Sequence, residues 1–330
     1  MVAKTKTWKT VWPIATALVL FALISGGWLW ARSEAETRFA AQQEHLDRKP
    51  ALTCSTDTWS GYPFKMTLDC QDPTIHLSRG RTKITPKTLN AIVRAPYLRT
   101  VLIHFEGPTV IRNDQLAAPV TINHAPAAIR IHIDNKQSIR AETELSSLAI
   151  AQSNSPLANI DTLRLKTQLL RGKEHNINID TDITNLIVHT EDQKQVILAA
   201  VKALINAGNV PHEPPADGAE WLKAAAGLET QFNVKKFTAR YGATELHAEG
   251  TFIIEGSGTF DGTIKTRVTK LDAFLGELRQ RQVLTPKKAK TASTLLGLFD
   301  KGDGVTADLR LKSGEFFWGP VKLGRQTPLF

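Results

Sequence analysis

The sequence predicts a mainly β protein of the α+β class: an N-terminal transmembrane helix followed by a large, curved antiparallel β-sheet or half-barrel with a few peripheral helices. Three observations predict this fold. An uncharged apolar run lies near the N-terminus, apolar and polar residues alternate in many short segments after residue 50, and turn-forming residues separate those segments. Short turns between consecutive strands favour antiparallel meanders over βαβ units.

The apolar run from Val11 to Ala31 is predicted to be the transmembrane helix. Its length matches the roughly 20 residues that cross the hydrocarbon core of a bilayer. Trp8 and Trp12 lie at one end and Trp28 and Trp30 at the other, as in the aromatic belts of membrane helices. The run therefore predicts a single membrane span.

The charges around this span predict its orientation. Residues 1–10 contain three lysines and no acid, so the positive-inside rule places them in the cytoplasm and everything after Ala31 outside it. The alternative is a cleaved signal peptide. Such a peptide has a shorter apolar region and small residues before the cut, where this chain has the bulky Trp28, Leu29 and Trp30.

Beyond the span, the composition predicts a juxtamembrane helix at residues 32–49, rich in Ala, Glu, Gln and Arg, that ends at Pro50. The β-rich region is predicted to cover residues 50–330. A Pro-rich segment makes residues 208–217 a candidate for a subdivision of that region.

Alternation of apolar and polar residues marks the predicted strands. These are Ile129–Ile133, Leu163–Leu169, Ile177–Ile183 and Leu309–Lys312, with less strict examples at Phe64–Leu68, Val101–Phe105, Leu246–Ile254 and Thr263–Val268.

Three segments are predicted to be helical instead. Asp192–Ala207 has apolar residues at helical spacing, and Gly208 follows as a C-cap. A shorter helix is predicted near Ala219–Gly227. Leu271–Phe299 is predicted to form two helices broken at Pro286.

This pattern leaves two architectures open. Many strands with one apolar face make a broad sheet whose apolar face needs a cover, and the chain offers few helices for it. Either the sheet folds on itself into a sandwich, or part of its concave apolar face stays open as a groove.

The two cysteines, Cys54 and Cys70, both follow the membrane span. In an oxidising compartment a pair this close in sequence favours a disulfide. A zinc site and a reactive thiol are the alternatives, although no histidine cluster accompanies the pair.

Catalytic, metal and nucleotide motifs are absent from the sequence, which contains no G-x-S-x-G, S-x-x-K, H-E-x-x-H or P-loop motif. Three segments come near to a motif. Residues 256–262 (GSGTFDG) lie between two predicted strands and are interpreted as a hairpin, and residues 300–304 (DKGDG) as a solvated turn. Asp180 and Asp182 share the polar face of one strand. We therefore expect a protein that is not an enzyme and needs no cofactor or metal.

The net charge of +9 is interpreted chiefly as a solubility feature, and the predicted compartment excludes nucleic acid. The acid-free segment at residues 279–290 has two more specific interpretations. If it lay beside the membrane it would contact anionic headgroups; otherwise it is a solvated linker. Its basic residues are Arg279, Arg281, Lys287, Lys288 and Lys290.

Two stretches resemble a known family. The segment Gly61, Tyr62, Pro63 and Phe64, followed by Asp72 and Pro73, is similar to the "GYPF…DP" signature of the bacterial domain of unknown function 2125 family, and the end of the chain, residues 311–330, resembles how those chains end. The resemblance implies that this chain is a membrane-anchored envelope protein. It carries over no catalytic residues. The β-rich layout is more distantly similar to AsmA-like envelope proteins, whose curved sheets are associated with lipids. The six motif residues are interpreted as structural, entering a strand through a turn or bulge.

These observations predict a membrane-anchored periplasmic protein of the cell envelope. The first hypothesis is that it binds or carries a lipid or other apolar ligand in a sheet groove. The second is a non-enzymatic structural or protein-interaction module with an envelope protein as partner. An enzyme whose site is assembled from distant residues is the third.

Overall fold

The computed structural model describes residues 8–44, 51–77, 81–114, 116–134, 138–153, 155–172, 175–189, 195–211, 218–280, 293–294, 297, 304–319 and 321–329. In the described residues the protein is mostly β, and its strands belong to one large, open antiparallel sheet. The described helices are α1 (Trp8–Glu44), α2 (Gly218–Gly227) and α3 (Leu271–Gln280). The predicted fold class is confirmed.

The strands, in chain order, are β1 (Ala51–Thr53), β2 (Thr56–Ser60), β3 (Lys65–Gln71), β4 (Thr74–Leu77), β5 (Thr82–Thr85), β6 (Thr88–Arg94), β7 (Thr100–Glu106), β8 (Thr109–Asn113), β9 (Val120–Asn123), β10 (Ala127–Asp134), β11 (Ser138–Gln152), β12 (Ser155–Leu170), β13 (Asn176–His189), β14 (Gln195–Gly208), β15 (Gln231–Tyr241), β16 (Thr244–Ile254), β17 (Phe260–Val268), β18 (Val305–Lys312), β19 (Glu315–Trp318) and β20 (Val321–Arg325).

The connectivity is a meander. From β11 to β20 each strand pairs antiparallel with the next one along the chain. On its other side β11 pairs with β10 through its first half and with β9 through its second half. Within the part of the chain that the structure describes, β1 and β2 form one edge of the sheet and β20 forms the other. The sheet is therefore open.

Helix α1 is continuous from the predicted span into the juxtamembrane segment. Its part from Thr16 to Ala41 is long and apolar enough to cross a membrane, with a mean hydropathy of 1.3, and none of that window is buried. Its C-terminal half carries two ion pairs, each between residues one helical turn apart: Arg32–Glu36 at 2.7 Å and Arg38–Glu34 at 2.6 Å. By length and composition, the helix fits a membrane anchor.

The predicted helix at Asp192–Ala207 is wrong, because residues 195–208 form strand β14. Alternate side chains from Val201 to Ala207 face one side of the sheet, and Leu198 faces that side three residues before Val201. That step of three, together with an outward, 38% exposed Leu204, mimics helical spacing. Pairing with both β13 and β15 overrides the helical propensity of the segment.

The other predictions fare better. Every predicted strand coincides with or overlaps an observed one, and the GSGTFDG segment forms the hairpin between β16 and β17, closed by a 2.8 Å hydrogen bond from the Glu255 amide to the Thr259 carbonyl. The short helix near Ala219–Gly227 is observed as α2. Pro286 and residues 300–303 lie outside the described residues, as do residues 212–217 of the Pro-rich segment. The strands on either side of that segment, β14 and β15, pair with each other.

Helices α2 and α3 cover the part of the apolar face that lies around β16. Leu271 and Leu275 of α3 form a buried cluster with Val268 and Val305. Trp221 of α2 packs edge-on against Phe232 of β15, with 6.3 Å between ring centroids.

An ion pair joins α2 to the other side of the sheet. Arg81, just before β5, lies 2.6 Å from Glu220 of α2. These two residues are 139 positions apart in the chain. The sheet is therefore curved with its apolar face inward, since α2 packs on that face.

Candidate functional site

A crease crosses the sheet at right angles to its strands. Ten of the strands form five consecutive pairs: β1/β2, β3/β4, β5/β6, β7/β8 and β9/β10. Within each pair a few unpaired residues separate the two strands, and the pair as a whole lies alongside another such pair or alongside β11. For example, β1 pairs with β4, and β2 pairs with β3. Each pair is therefore one long strand bent near its middle. The bends lie next to one another across the sheet, because the strand register is nearly the same on both sides of them.

The crease continues through the uninterrupted strands β11 to β14. Ser147, Asp161, Asn185 and Ala199 are skipped in the ladders, although the pairing on either side keeps one register. Ser147 and Asn185 have φ values of 54° and 50°, in the left-handed region that few residues other than glycine adopt. The Asn185 amide donates a 2.6 Å hydrogen bond to the Asp161 carboxylate.

The bend reverses the alternation of faces in each of these strands. Apolar residues therefore stand three apart across it while facing the same side. They are Leu145 and Leu148, Ile160 and Leu163, Ile183 and Leu186, and Leu198 and Val201. Two continuous apolar rows result, one on each side of the crease.

The inner face of β10 to β14 is apolar and incompletely covered. Its side chains, such as Ile129, Leu165, Ile179, Ile183 and Ile205, are partly buried rather than enclosed. Helices α2 and α3 pack against β16, and α1 packs against β1. These helices therefore lie towards opposite lateral edges of the sheet, on either side of the middle strands. Among the described residues, the middle strands therefore present a continuous, partly uncovered apolar surface.

The outer face carries charges of alternating sign. Glu144, Arg164, Asp182 and Lys202 occupy one cross-strand row. Arg164 lies 3.0 Å from Glu144, and Lys202 lies 3.0 Å from Asp182. The hydrogen bond to Glu144 and the attraction of its charge raise the pKa of Arg164. Because these side chains are mostly exposed, the row favours solubility more than stability.

A cavity of about 600 Å³ lies on the outer face beside the crease, lined by Asn90, His104, Glu106, Glu144 and other residues. Among the described residues, no three His, Cys, Asp or Glu side chains are arranged to hold a metal ion. Asp180 and Asp182, the predicted carboxylate pair, lie opposite Lys166 and Arg164 in the ladder with β12. Their surroundings are those of a charged sheet face.

The two cysteines and the Asp-Pro motif lie together at the start of the crease. The sulfurs of Cys54 and Cys70 are 1.95 Å apart, at disulfide distance, with 5.3 Å between their Cα atoms. Ser55 donates a 3.0 Å hydrogen bond to Asp72, and Pro73 is fully buried. Asp72 has a φ of 46°, so the motif residues shape this bend.

The GYPF motif lies elsewhere, in the turn between β2 and β3. The Tyr62 ring packs edge-on against Trp28 of α1, with 5.4 Å between centroids, and its hydroxyl is hydrogen-bonded to Ser25. A Cβ at Gly61 would stand 2.8 Å from the Lys65 carbonyl oxygen, and its φ is 91°, so the turn requires glycine. The six motif residues therefore divide between two separate places in the fold.

The predicted basic cluster is described only in part. Arg279 is exposed on α3, whereas Arg281, Lys287, Lys288 and Lys290 lie outside the described residues. Headgroup contact by this cluster stays a prediction.

Two features were missed in the sequence. The apolar pairs spaced three apart inside β11 to β14 were a readable signal of the crease. The acid-free segment 94–100 (RAPYLRT) was another, since it places exposed Tyr97 and Leu98 in a turn next to the GYPF motif.

These features define a class of protein: a mostly β chain with one N-terminal apolar helix that fits a membrane anchor, a large open antiparallel sheet and one cysteine pair at disulfide distance. The chain belongs to the family described as "Uncharacterized protein conserved in bacteria (DUF2125)", whose model matches residues 28–326. The family resemblance predicted from the two motifs is confirmed. No curated protein and no solved structure matches the chain. Similarity to AsmA-like proteins stays a prediction.

Proposed function

We propose that this protein is a bacterial inner-membrane protein with its sheet in the periplasm, and that it binds or carries a lipid or other apolar molecule on the inner face of the sheet. The observation that carries this proposal is the continuous apolar surface of β10 to β14. Large apolar surfaces left partly uncovered mark binding sites, because covering them removes apolar area from water.

The curvature of the sheet supports an elongated ligand. The two apolar rows beside the crease run across four neighbouring strands, from Leu145 and Leu148 in β11 to Val201 and Leu198 in β14. Strands lie about 4.8 Å apart. Four strands therefore span roughly 14 Å, a length suited to an acyl chain lying across them.

Two observations support the periplasmic placement. Three lysines precede the span, and the cysteine sulfurs are at disulfide distance, as in proteins of oxidising compartments. A reporter that is active only outside the cytoplasm, fused after Phe330, tests this placement. An active fusion supports it, and activity of a cytoplasmic reporter at the same position would overturn it.

The lipid proposal is tested by photo-crosslinking at two adjacent residues of β13. Ile179 faces the apolar side and is partly buried, whereas Asp180 faces the charged side and is exposed. A photoreactive amino acid is placed at one or the other position in the full chain, and the irradiated protein is analysed by mass spectrometry. Lipid adducts at position 179 and none at position 180 are expected. Equal lipid labelling at both positions, or none at position 179, would contradict the proposal.

The second candidate function is a protein-interaction module. The specific observation in its favour is the edge strand β20, which within the described residues pairs on one side only, with β19. Such an edge accepts a strand from a partner through main-chain hydrogen bonds. A photoreactive residue at exposed Lys322 of β20 tests this candidate. A protein adduct there, together with no lipid adduct at position 179, would favour it over lipid binding.

A further inference from the structure

Two turns at one end of the sheet combine aromatic residues with basic ones. The β2–β3 turn and the start of β3 read GYPFK, and the β6–β7 turn with its flanks reads RAPYLRT. Both segments lack acidic residues. In an ordinary solvated turn, Gly, Pro, Asn, Asp and Ser predominate, and these two turns contain Gly61, Pro63 and Pro96 but also aromatic and basic residues. Aromatic rings beside cations are instead the composition of membrane-interface segments.

The structure brings these two turns together. The Ala95 amide donates a 2.8 Å hydrogen bond to the Phe64 carbonyl, and Lys65 is the cross-strand partner of Arg94. We call residues 61–65 and 94–99 the apolar tip. The turns that join consecutive strands of a meander alternate between the two ends of the sheet, and both of these turns lie at the same end.

Four large side chains of the apolar tip are exposed, although they are apolar or aromatic. Tyr62 is 48% exposed and Phe64 62%, while Tyr97 and Leu98 are 71% and 69% exposed. Exposing this much contiguous apolar surface to water is unfavourable. A cover is therefore expected in the functional state.

The position of α1 identifies that cover. Tyr62 contacts α1 at Phe21, with 6.4 Å between ring centroids, and at Ser25 and Trp28. All three lie inside the apolar part of the helix. Phe21 precedes Trp28 by seven residues, which is about 10 Å along a helix. If Trp28 marks the membrane interface, Tyr62 therefore reaches below it.

The charges of the apolar tip complement the same surface. Lys65, Arg94 and Arg99 are exposed at its rim, and the Trp28 indole donates a 3.3 Å hydrogen bond to the Lys65 carbonyl. Headgroups of anionic lipids attract such cations. An apolar centre with a basic rim therefore fits an anionic bilayer surface better than it fits a protein surface of mixed charge.

We propose that the apolar tip is a second membrane contact, inserted into the bilayer leaflet that the outer end of α1 crosses. Tyr62, Phe64, Tyr97 and Leu98 enter the acyl region, and Lys65, Arg94 and Arg99 bind anionic headgroups. The sheet then stands with this end on the membrane, and the apolar face begins at the bilayer surface. The proposal rests on α1 as the membrane anchor and not on lipid binding by the sheet.

The test measures how deep single residues of the full chain lie in lipid vesicles. An environment-sensitive fluorophore is attached to a cysteine introduced as Leu98→Cys, in vesicles of phosphatidylcholine and phosphatidylglycerol. Two matched positions are labelled in separate variants. Leu23→Cys lies in the apolar part of α1, and Ala243→Cys lies in the exposed β15–β16 turn at the opposite end of the sheet. Quenching by aqueous iodide and by lipids that carry a nitroxide near the headgroup is then compared.

The probe at position 98 is expected to be several-fold less accessible to iodide than the probe at position 243, and to be quenched by the nitroxide lipid. If position 98 behaves like position 243 while position 23 is shielded, the tip proposal is overturned and the anchor stands. If position 23 is itself open to iodide, the anchor and the tip proposal fall together. A probe introduced as Tyr97→Cys tests the same surface if the Leu98 variant does not fold.

Omitting phosphatidylglycerol tests the basic rim separately. Shielding at position 98 is expected to decrease in vesicles of phosphatidylcholine alone, and to decrease likewise when Arg94→Gln and Arg99→Gln are combined in the anionic vesicles. Identical shielding in all three cases would overturn the headgroup contact.

Discussion

Asn185 in β13 and Asp161 in β12 lie opposite each other on the crease, and the Asn185 amide donates a 2.6 Å hydrogen bond to the Asp161 carboxylate. Asn185 has a φ of 50°. Asparagine is one of the few residues other than glycine that adopt this conformation readily, because its short polar side chain bonds locally. One residue thus supports both the bend of its own strand and its contact with the next strand.

Replacing Asn185 tests this double role. We expect Asn185→Ala to lower the free energy of unfolding by about 2 kcal/mol, of which about 1 kcal/mol is the lost hydrogen bond and about 1 kcal/mol arises because alanine tolerates positive φ less well than asparagine does. Asn185→Gly removes the hydrogen bond but tolerates the conformation, so it should cost about half as much. Urea unfolding followed by tryptophan fluorescence measures both. Equal losses in the two variants would show that the backbone conformation contributes nothing.

A close contact between β16 and β17 should make Gly250 irreplaceable. A Cβ on Gly250 would lie 2.3 Å from the Thr263 carbonyl oxygen, and its φ is 153°. We expect Gly250→Ala to lower the free energy of unfolding by about 2–3 kcal/mol, since the backbone must shift or remain strained. Gly256→Ala is the matched control, because no atom lies within 4 Å of the Cβ position there. A Gly250 variant as stable as the Gly256 variant would contradict the prediction.

The bond between Cys54 and Cys70 should stabilise the bend of the first strands. It closes a loop with a sequence separation of 16, and the chain-entropy relation gives about 3 kcal/mol for a loop of this size. We expect the double variant Cys54→Ala, Cys70→Ala to unfold at lower urea concentration than the oxidised wild type. A reducing agent should lower the stability of the wild type and leave that of the double variant unchanged. An unchanged wild type would show that the bond is absent or makes no contribution.

His76 in β4 should make stability depend on pH. Burial, and secondarily the charge of Lys83, lowers the pKa of His76 below its ordinary value of 6.5. The unfolded chain therefore binds a proton more readily than the folded one. The contribution of His76 to stability is complete above pH 6.5 and is lost as the pH falls through the lowered pKa of the folded state.

The variant His76→Gln isolates this effect, because it removes the titrating group while keeping a polar partner for the Thr53 hydroxyl, which lies 3.1 Å from the His76 ring. Urea midpoints are measured between neutral and mildly acidic pH. We expect the wild type to lose more stability than His76→Gln on acidification. Parallel curves for the two proteins would mean that another group causes the pH dependence.

Local patterns predicted those elements whose signal lies within the element itself. The alternation in Leu163–Leu169 and Ile177–Ile183 predicted strands, because side chains on a pleated strand point to opposite faces in turn. The prediction for the segment of β14 was wrong because the local pattern there fits a helix as well as a strand. Its reversal at Ala199 places apolar residues at helical spacing, and only the pairing with β13 and β15 decides between the two structures.

The sequence predicted the kind of surface that forms the candidate site, but not where on the sheet that surface lies. The sequence indicated a sheet with an apolar face too broad for its helices, and left a packed sandwich and an open groove as alternatives. The position of α2 at β16, together with the Arg81–Glu220 ion pair, decides how the face is curved and where it is covered. Both depend on contacts between residues far apart in the chain.

The sequence by itself determined the apolar N-terminal helix, the β class and the family, because each is recorded in the composition and order of neighbouring residues. Only the tertiary structure decided that β14 is a strand, that the bends align into one crease, and that Tyr62 lies against Ser25 of α1. Those features depend on strand register and long-range packing. The free energy of such contacts is set by which distant residues meet, and local sequence does not specify that.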